Sequence, residues 1–482
     1  MQRLLVLLLA LSFSVSAAQS ININNKKNDL PEIGVVASHV MSIEREQAIG
    51  DIYMRQLRAQ APIVNDPLLE EYIQDIGNKL VAQADNVKFP FQFFLLNSPD
   101  INAFAFFGGH IAVHTGLILN ASNESELAAV LSHEITHITQ RHMARKIEAS
   151  QASSPLQMAS LLGGLLVAMA NPEAGIAAIS ASSAAAQQSS INYTRSNENE
   201  ADRLGMKVLA NAGYDVNAAA DFFGKLAAQY RFVSKPPAFL LTHPVPESRI
   251  ADAKARAHLY AQHHPTPSLN FALAKARIVA RYGTNKNNSQ VYFDDLSELP
   301  DAISQAAAAY GKTLMLFEQQ KYQQAQIMLA PLIKADPTNL FYMDTQTDIF
   351  LEQQQYQQAV DMLQPQLAKM PRNRVLSLNM ANALFKLKQF AKGEQLIKDY
   401  LLVNPEHTLS YQLLIDAYTE NQQKLELHQA RAEYFALLSI YPKAIDELQT
   451  AYNFTNDNTL AKQRIRARID QFRDADKKLR SM

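Results

Sequence analysis

Four columns of residues in the C-terminal half of this 482-residue chain keep a common step of 34. Tyr322, Tyr356 and Phe390 form an aromatic column, and Ala325, Ala359 and Gly393 a small one. Leu329, Leu363 and Ile397 form an aliphatic column, and Pro337, Pro371 and Pro405 a proline one. Such a register restricts the fold more than any other feature of the chain. A unit of this length is one helical hairpin, which cannot bury its apolar face alone and must stack on copies of itself. The small residue lets two helices approach, the aromatic residue three positions earlier fills the gap, and proline stops the second helix. The pattern then loosens. Tyr441-Pro-Lys-Ala444 has the look of another repeat core but lies 51 residues after Phe390. A degenerate fourth repeat and a capping helix to about Phe472 are expected there.

This unit resembles the tetratricopeptide repeat in length and spacing. An array of such units is a curved solenoid whose concave face binds extended segments or partner proteins. The basic stretches Arg464–Arg468 and Lys477–Arg480 read as a solvated helix face.

The N-terminal half is irregular in pattern, so the chain divides. Met1–Ala18 has Arg3, a short apolar core from Leu4 and small residues at Ser16-Ala17-Ala18. These are the marks of a secretory signal cleaved after Ala18, with a core too short to span a bilayer. The expected division is a signal at 1–18, a first domain at 19–264, a linker helix region at 265–300 and the repeats at 301–482. The Pro-rich stretch His263–Ser268 marks the join. Lys+Arg 45 against Asp+Glu 46 argues against gripping nucleic acid through its phosphates. The absence of Cys excludes disulfide scaffolds, Cys-based zinc fingers and a Cys nucleophile. A tightly held transition metal must then use His and carboxylate.

Residues 133–137 supply that pattern as His133-Glu134-x-x-His137. Asn123 with Glu126 predicts a helix start, and Leu127, Val130, Leu131 and Ile138 form its apolar stripe. On a helix, residues at i and i+4 have Cβ atoms about 5–6 Å apart on one face, so two imidazoles there can share one Zn²⁺. Glu134 can reach a water at the metal without being a ligand. A third ligand is needed, with the fourth position left for water. Glu198 followed by Asp202 on a second helix supplies a ligand and, one turn on, a carboxylate able to fix the tautomer of a ligating His. Glu200 is the competing ligand, but it has no acid at i+4. His110, His114 and His142 read as structural or surface histidines, since three ligands are accounted for.

The stretch Asn102–Gly116, the His133–His137 helix, Glu198-x-x-Ala-Asp202 and Thr242-His243-Pro-x-x-x-x-Arg249 occur in this order. In these motifs the chain resembles the metallopeptidase family that includes HtpX, the mitochondrial Oma-type proteases and the CAAX prenyl protease. Ser42–Gln47 and Asp66–Tyr72 also look like that family's N-terminal helices. The resemblance implies a mainly α fold with a small β-sheet, a gluzincin-like zinc metallopeptidase domain followed by an α-solenoid of tetratricopeptide repeats. It implies one Zn²⁺ on His133, His137 and Glu198, with Glu134 as general base and Asp202 as the carboxylate behind a ligand. His243 and Arg249 look like the pair beside the metal in this family. A His donor and a cationic Arg suit an oxyanion, and His243 could instead take the open metal position and hold the enzyme latent.

With an export signal ahead and repeats behind, the resemblance further implies a periplasmic endopeptidase, peripheral to the outer membrane. Its protein clients would be outer-membrane β-barrel proteins and the barrel-assembly machinery, met through the repeats. The rival expectation is a chaperone or scaffold whose zinc site is latent. A third is an integral-membrane protease. Ala103–Val113, β-rich with a Gly108-Gly109 break, is expected as an edge strand beside the cleft or as a core strand. The Ala-, Ser- and Leu-rich segment 150–190 is expected as buried hairpin, lid, or peripheral membrane contact through 156–188.

Overall fold

The computed structural model describes residues 37–149, 184–231, 239–240, 243–244, 247–283 and 286–480. The signal at 1–18 and the segment 150–183, where most of the lid or membrane-contact expectation falls, lie outside the described residues. Two helices open the chain, α1 (Ile43–Gln60) and α2 (Pro67–Val81). Asp66 caps α2 by accepting the N–H of Leu68 and Leu69, and Pro67 stands at its first position, where a missing N–H costs nothing. Then come β1 (Gln92–Leu96), β2 (Ala103–Phe106), β3 (His110–His114) and the short α3 (Thr115–Asn120).

The three strands form one sheet in the order β1-β3-β2, with β1 parallel and β2 antiparallel to β3. Ala103–Val113 is therefore not one strand but two. Gly108 and Gly109 take φ of 78° and 87°, a left-handed conformation costly for other residues, and they turn the chain back on itself. This leaves β2 at the sheet edge and β3 at its centre. Against the sheet and α2 packs α4 (Glu124–Thr139). It is followed by α5 (His142–Ala149), α6 (Ala184–Asn211), α7 (Ala218–Tyr230) and α8 (Glu247–Ala257).

Next come α9 (Leu269–Arg277), α10 (Lys286–Glu298) and α11 (Ala302–Glu318). The hairpins continue as α12 (Tyr322–Ala335), α13 (Leu340–Glu352), α14 (Tyr356–Lys369), α15 (Arg374–Lys386) and α16 (Phe390–Leu401). The last four helices are α17 (Thr408–Glu420), α18 (Lys424–Leu437), α19 (Tyr441–Tyr452) and α20 (Thr459–Arg480). The aromatic column opens α12, α14 and α16, and the small column is buried beneath it. A Cβ added at Gly393 would sit 2.4 Å from the Phe385 ring, so glycine is what the third hairpin needs.

The turn inside each hairpin carries a residue with positive φ: Gln320, Gln354, Lys388 and Gln422, again 34 apart. The fourth hairpin, α17–α18, thus keeps the backbone step. Only its side-chain columns have changed, to Lys424, Leu427 and Arg431. Tyr441 opens α19, the first helix of a fifth pair, and α20 runs on to Arg480. The 51-residue interval is one and a half units, which is why sequence columns alone placed a single degenerate repeat there.

Residues 265–300 do not act as a loose spacer. Phe271, Leu273 and Arg277 are buried, and a single apolar cluster runs from Val64 through α4 and α9 to Val375. Arg277 meets Asp66 at 2.7 Å, Asp344 at 2.9 Å and the Tyr310 hydroxyl at 3.0 Å. Nearer the surface, Arg55 and Arg58 meet Glu406 at 2.9 and 3.1 Å, and the Asn373 amide donates to Glu71. The N-terminal helices are therefore held by the repeats through both apolar and charged contacts. Among the described residues, no helix is long and apolar enough to cross a membrane.

Candidate metal centre

Asn123 caps α4 by accepting the N–H of Glu126 at 3.0 Å, and the Glu126 carboxylate turns back to the N–H of Ser122 at 2.7 Å. The helix so started is buried along almost its whole length, and it presents His133 and His137 to α6. The two helices lie close because residue 205 is glycine. A Cβ there would be 3.1 Å from both His133 N and Ser132 O, tighter than ordinary packing allows.

One donor atom each from His133, His137, Glu198 and His243 lies within 4.8 Å of the others. Nε2 of His133 and Nε2 of His137 are 3.0 Å apart, and Nδ1 of His243 is 3.3 Å from the former. Glu198 approaches all three rings, at 3.3 Å from His133, 3.4 Å from His137 and 3.1 Å from His243. Two imidazole nitrogens that face each other so closely suit a shared cation better than each other, and three imidazoles with one carboxylate suit a four-coordinate metal ion. Glu134 Oε1 is buried beside them and, among the described residues, has no hydrogen bond and only His243 Nε2 near it at 3.4 Å, as suits a group that meets a partner at the centre. The donor set therefore fits a metal ion.

The remaining expected residues surround this cluster. Asp202 Oδ1 lies 3.0 Å from His133 Nδ1, on the ring edge away from the other donors. Arg249 grips Asp202 with two bonds of 2.7 Å, donates to the Pro244 carbonyl at 2.6 Å and pairs with Glu198 at 3.0 Å. Its donors thus meet carboxylates and backbone. His243 is anchored by its N–H to the Phe239 carbonyl, and its Nε2 is 3.4 Å from Glu134 Oε1. The Ala105 N–H points off the edge of the sheet and donates to Glu134 Oε2 at 3.0 Å.

Burial and charge pairing compete in setting the electrostatics. Glu134 is 1 % exposed, and burial pushes its carboxyl above the ordinary range. Burial alone would lower His133, but bonds to Asp202 and Glu198 outweigh it and raise the ring to about 10. Burial would raise Glu198, but the rings of His243 and His133 hold it well below the usual value. For His137, 16 % exposed at its side chain, burial wins and holds the ring well below its ordinary value.

Glu200 does not join the four donors. It points to the other side of α6, where it meets His142 and Arg145. His142, expected as a structural or surface histidine, lies 2.9 Å from His137. No helical spacing could have signalled this, because the two residues stand on different helices across a break at Gln140–Arg141. His110 pairs with Asp51 at 3.4 Å and His114 packs on Phe104; both belong to the sheet, not the centre.

Residues 67–257 match the model of Peptidase family M48, and residues 350–417 match a tetratricopeptide repeat model. A putative beta-barrel assembly-enhancing protease of Vibrio cholerae is 48 % identical over 448 residues, 93 % of each chain. The chain belongs to peptidase family M48. The beta-barrel assembly-enhancing protease of Escherichia coli is 41 % identical over 92 % of this chain and 91 % of its own. The mitochondrial metalloendopeptidase OMA1 of Schizosaccharomyces pombe is 27 % identical over 37 % of this chain and 50 % of its own. Family and site together identify a metalloprotease joined to helical repeats, with a His and Glu cluster suited to a metal ion.

Proposed function

We propose that the chain is a zinc endopeptidase of the bacterial periplasm that cleaves misassembled outer-membrane β-barrel proteins and assists productive ones. The observation that carries this reading is the four-donor cluster of His133, His137, Glu198 and His243 with Glu134 against it. His133, His137 and Glu198 would hold Zn²⁺, and His243 would fill the fourth position in a latent state. Zinc, when bound, polarises a peptide carbonyl and makes a neighbouring water acidic. Glu134 takes a proton from that water and returns it to the leaving amine, a role its raised carboxyl suits. Asp202, 3.0 Å from His133 Nδ1, orients the His133 ring, and Arg249 holds Asp202. The edge strand β2 offers its backbone to an extended peptide beside Glu134.

Latency is supported by burial. His133, Glu198 and His243 are 2, 4 and 5 % exposed, and a donor atom of His243 stands among those of the three expected ligands. In this reading the repeats recruit the client and the barrel-assembly machinery is the partner, in keeping with relatives named for beta-barrel assembly. A signal at 1–18, a protease at 19–264, a connecting helical region at 265–300 and repeats at 301–482 are the working boundaries. The segment 156–188 is the candidate for peripheral contact with the outer membrane.

The test is metal analysis of the full mature chain together with cleavage of an unfolded outer-membrane barrel protein. One zinc per chain, with cleavage in wild type and none in Glu134→Gln, supports the reading. Absence of zinc, or equal cleavage by both proteins, overturns it. Equal rescue of barrel assembly by both would favour a chaperone with a latent site.

A further inference from the structure

The hydrogen-bond pattern around His137 extends beyond the residues that would touch a metal. After α4 the chain turns at Arg141, which takes φ 54° and is tied to Glu46 at 2.9 Å. The turn folds His142 back over the metal helix, so that its ring stands 4.8 Å from the His137 ring at 81°. His142 Nδ1 is 2.9 Å from His137 Nδ1, and His142 Nε2 is 3.3 Å from Glu200 Oε2. The same Glu200 oxygen accepts from Arg145 at 2.8 Å.

These distances leave one consistent assignment of protons. His137 faces the other donors with Nε2, at 3.0 Å from His133 Nε2 and 3.4 Å from Glu198. A nitrogen that binds a cation carries no proton, so the proton of neutral His137 sits on Nδ1. His142 Nδ1 must then be the acceptor, and the His142 proton sits on Nε2, directed at Glu200. A carboxylate only accepts, so Glu200 fixes the direction of the whole chain, and Arg145 fixes Glu200. On the opposite side, Asp202 meets His133 Nδ1 directly. Glu198, Glu200 and Asp202 all lie on α6, so one helix supplies a donor to the cluster, the carboxylate beside His133 and, through His142, the one behind His137.

We propose that His142 and Glu200 are positioning residues of the metal centre, His142 accepting the Nδ1–H of His137 and Glu200 fixing the His142 tautomer. This rests on the reading of His137 as a metal ligand. Partners of this kind change metal affinity by about 10–100-fold when removed. The readout is zinc affinity of the full chain, measured with zinc alone by competition against a chromophoric chelator.

His142→Leu removes the acceptor and is expected to weaken zinc binding by about 10–100-fold. His142→Asn places an amide oxygen where Nδ1 stood and is expected to recover most of that loss. Glu200→Leu is expected to weaken binding several-fold and Glu200→Gln, which keeps an acceptor for the His142 N–H, to restore it. Glu200 is 26 % exposed at its side chain, so its variants keep the test open should His142→Leu fail to fold. Affinity unchanged within about twofold in His142→Leu or in Glu200→Leu overturns the proposal. So does equal impairment of the Leu and Asn variants at 142, which would mark a packing role. Wild type that binds no zinc overturns the metal reading itself and this pairing with it; wild-type binding with unimpaired variants overturns the pairing alone.

Discussion

Replacing Arg277 by Met should destabilise the whole chain and do so in a pH-dependent way. Arg277 is 1 % exposed and is held by Asp66, Asp344 and the Tyr310 hydroxyl. Methionine keeps much of the apolar stem but leaves two buried carboxylates without their cation. Breaking a buried ion pair by removing one partner costs about 3–5 kcal/mol, and that is the expected loss at neutral pH. The sign of the pH effect follows from Asp66. In the wild type, burial would raise its carboxyl, but the charges of Arg277 and Arg281 outweigh burial and hold it below the ordinary value. Its contribution is therefore fully present above the unfolded value of about 3.9 and is lost as pH falls through the folded one. Without Arg277, only the Arg281 charge and the backbone N–H of Leu69 oppose burial, and the expected result is a carboxyl raised above the unfolded value. The variant then regains stability as pH falls through that raised value. Denaturant unfolding of the full chain, followed by far-ultraviolet circular dichroism, should show a large gap at about pH 7.5 and a smaller one at about pH 5.5. A loss under about 1 kcal/mol at the higher pH, or a gap that does not narrow, would refute the reasoning.

Other consequences are simpler. His243→Ala should raise cleavage of an unfolded substrate several-fold if His243 holds the site latent; a fall in cleavage would assign it to the reaction instead. Gly205→Val should cost about 1–3 kcal/mol in thermal stability and weaken zinc binding, because its branches press on the His133 backbone. Zinc binding unchanged in that variant would mean that α4 and α6 can separate without loss of the centre. Asp202→Ala should weaken zinc binding by about 10–100-fold while Glu134→Gln leaves it intact, a contrast that separates a supporting carboxylate from a base.

Much of this was legible along the chain because it depends on helical spacing. His133 and His137 stand one turn apart on α4, and Glu198 and Asp202 one turn apart on α6, so each pair was readable without knowing what it would face. The same spacing favoured Glu198 over Glu200, which has no acid one turn on, and in the structure only Glu198 faces His137 while Glu200 meets Arg145. Arg249 was placed beside the metal only by the family resemblance, and its bonds to Asp202 and Glu198 depend on how α8 docks. Ala103–Val113 was readable as β-structure, while its division into an edge and a central strand required the pairing of β3 with β1.

The sequence by itself determined the helical hairpins and their step of 34, the one-turn pairs His133–His137 and Glu198–Asp202, and the absence of any Cys. These follow from local geometry, in which side chains three, four or thirty-four residues apart repeat the same environment. Tertiary structure alone decided that His142 and Glu200 stand behind His137, that Arg277 ties the N-terminal helices to the repeats, and that the fourth hairpin persists after its columns fade. Each of these turns on elements far apart in the chain being packed together, and the burial that drives such packing acts without regard to sequence distance.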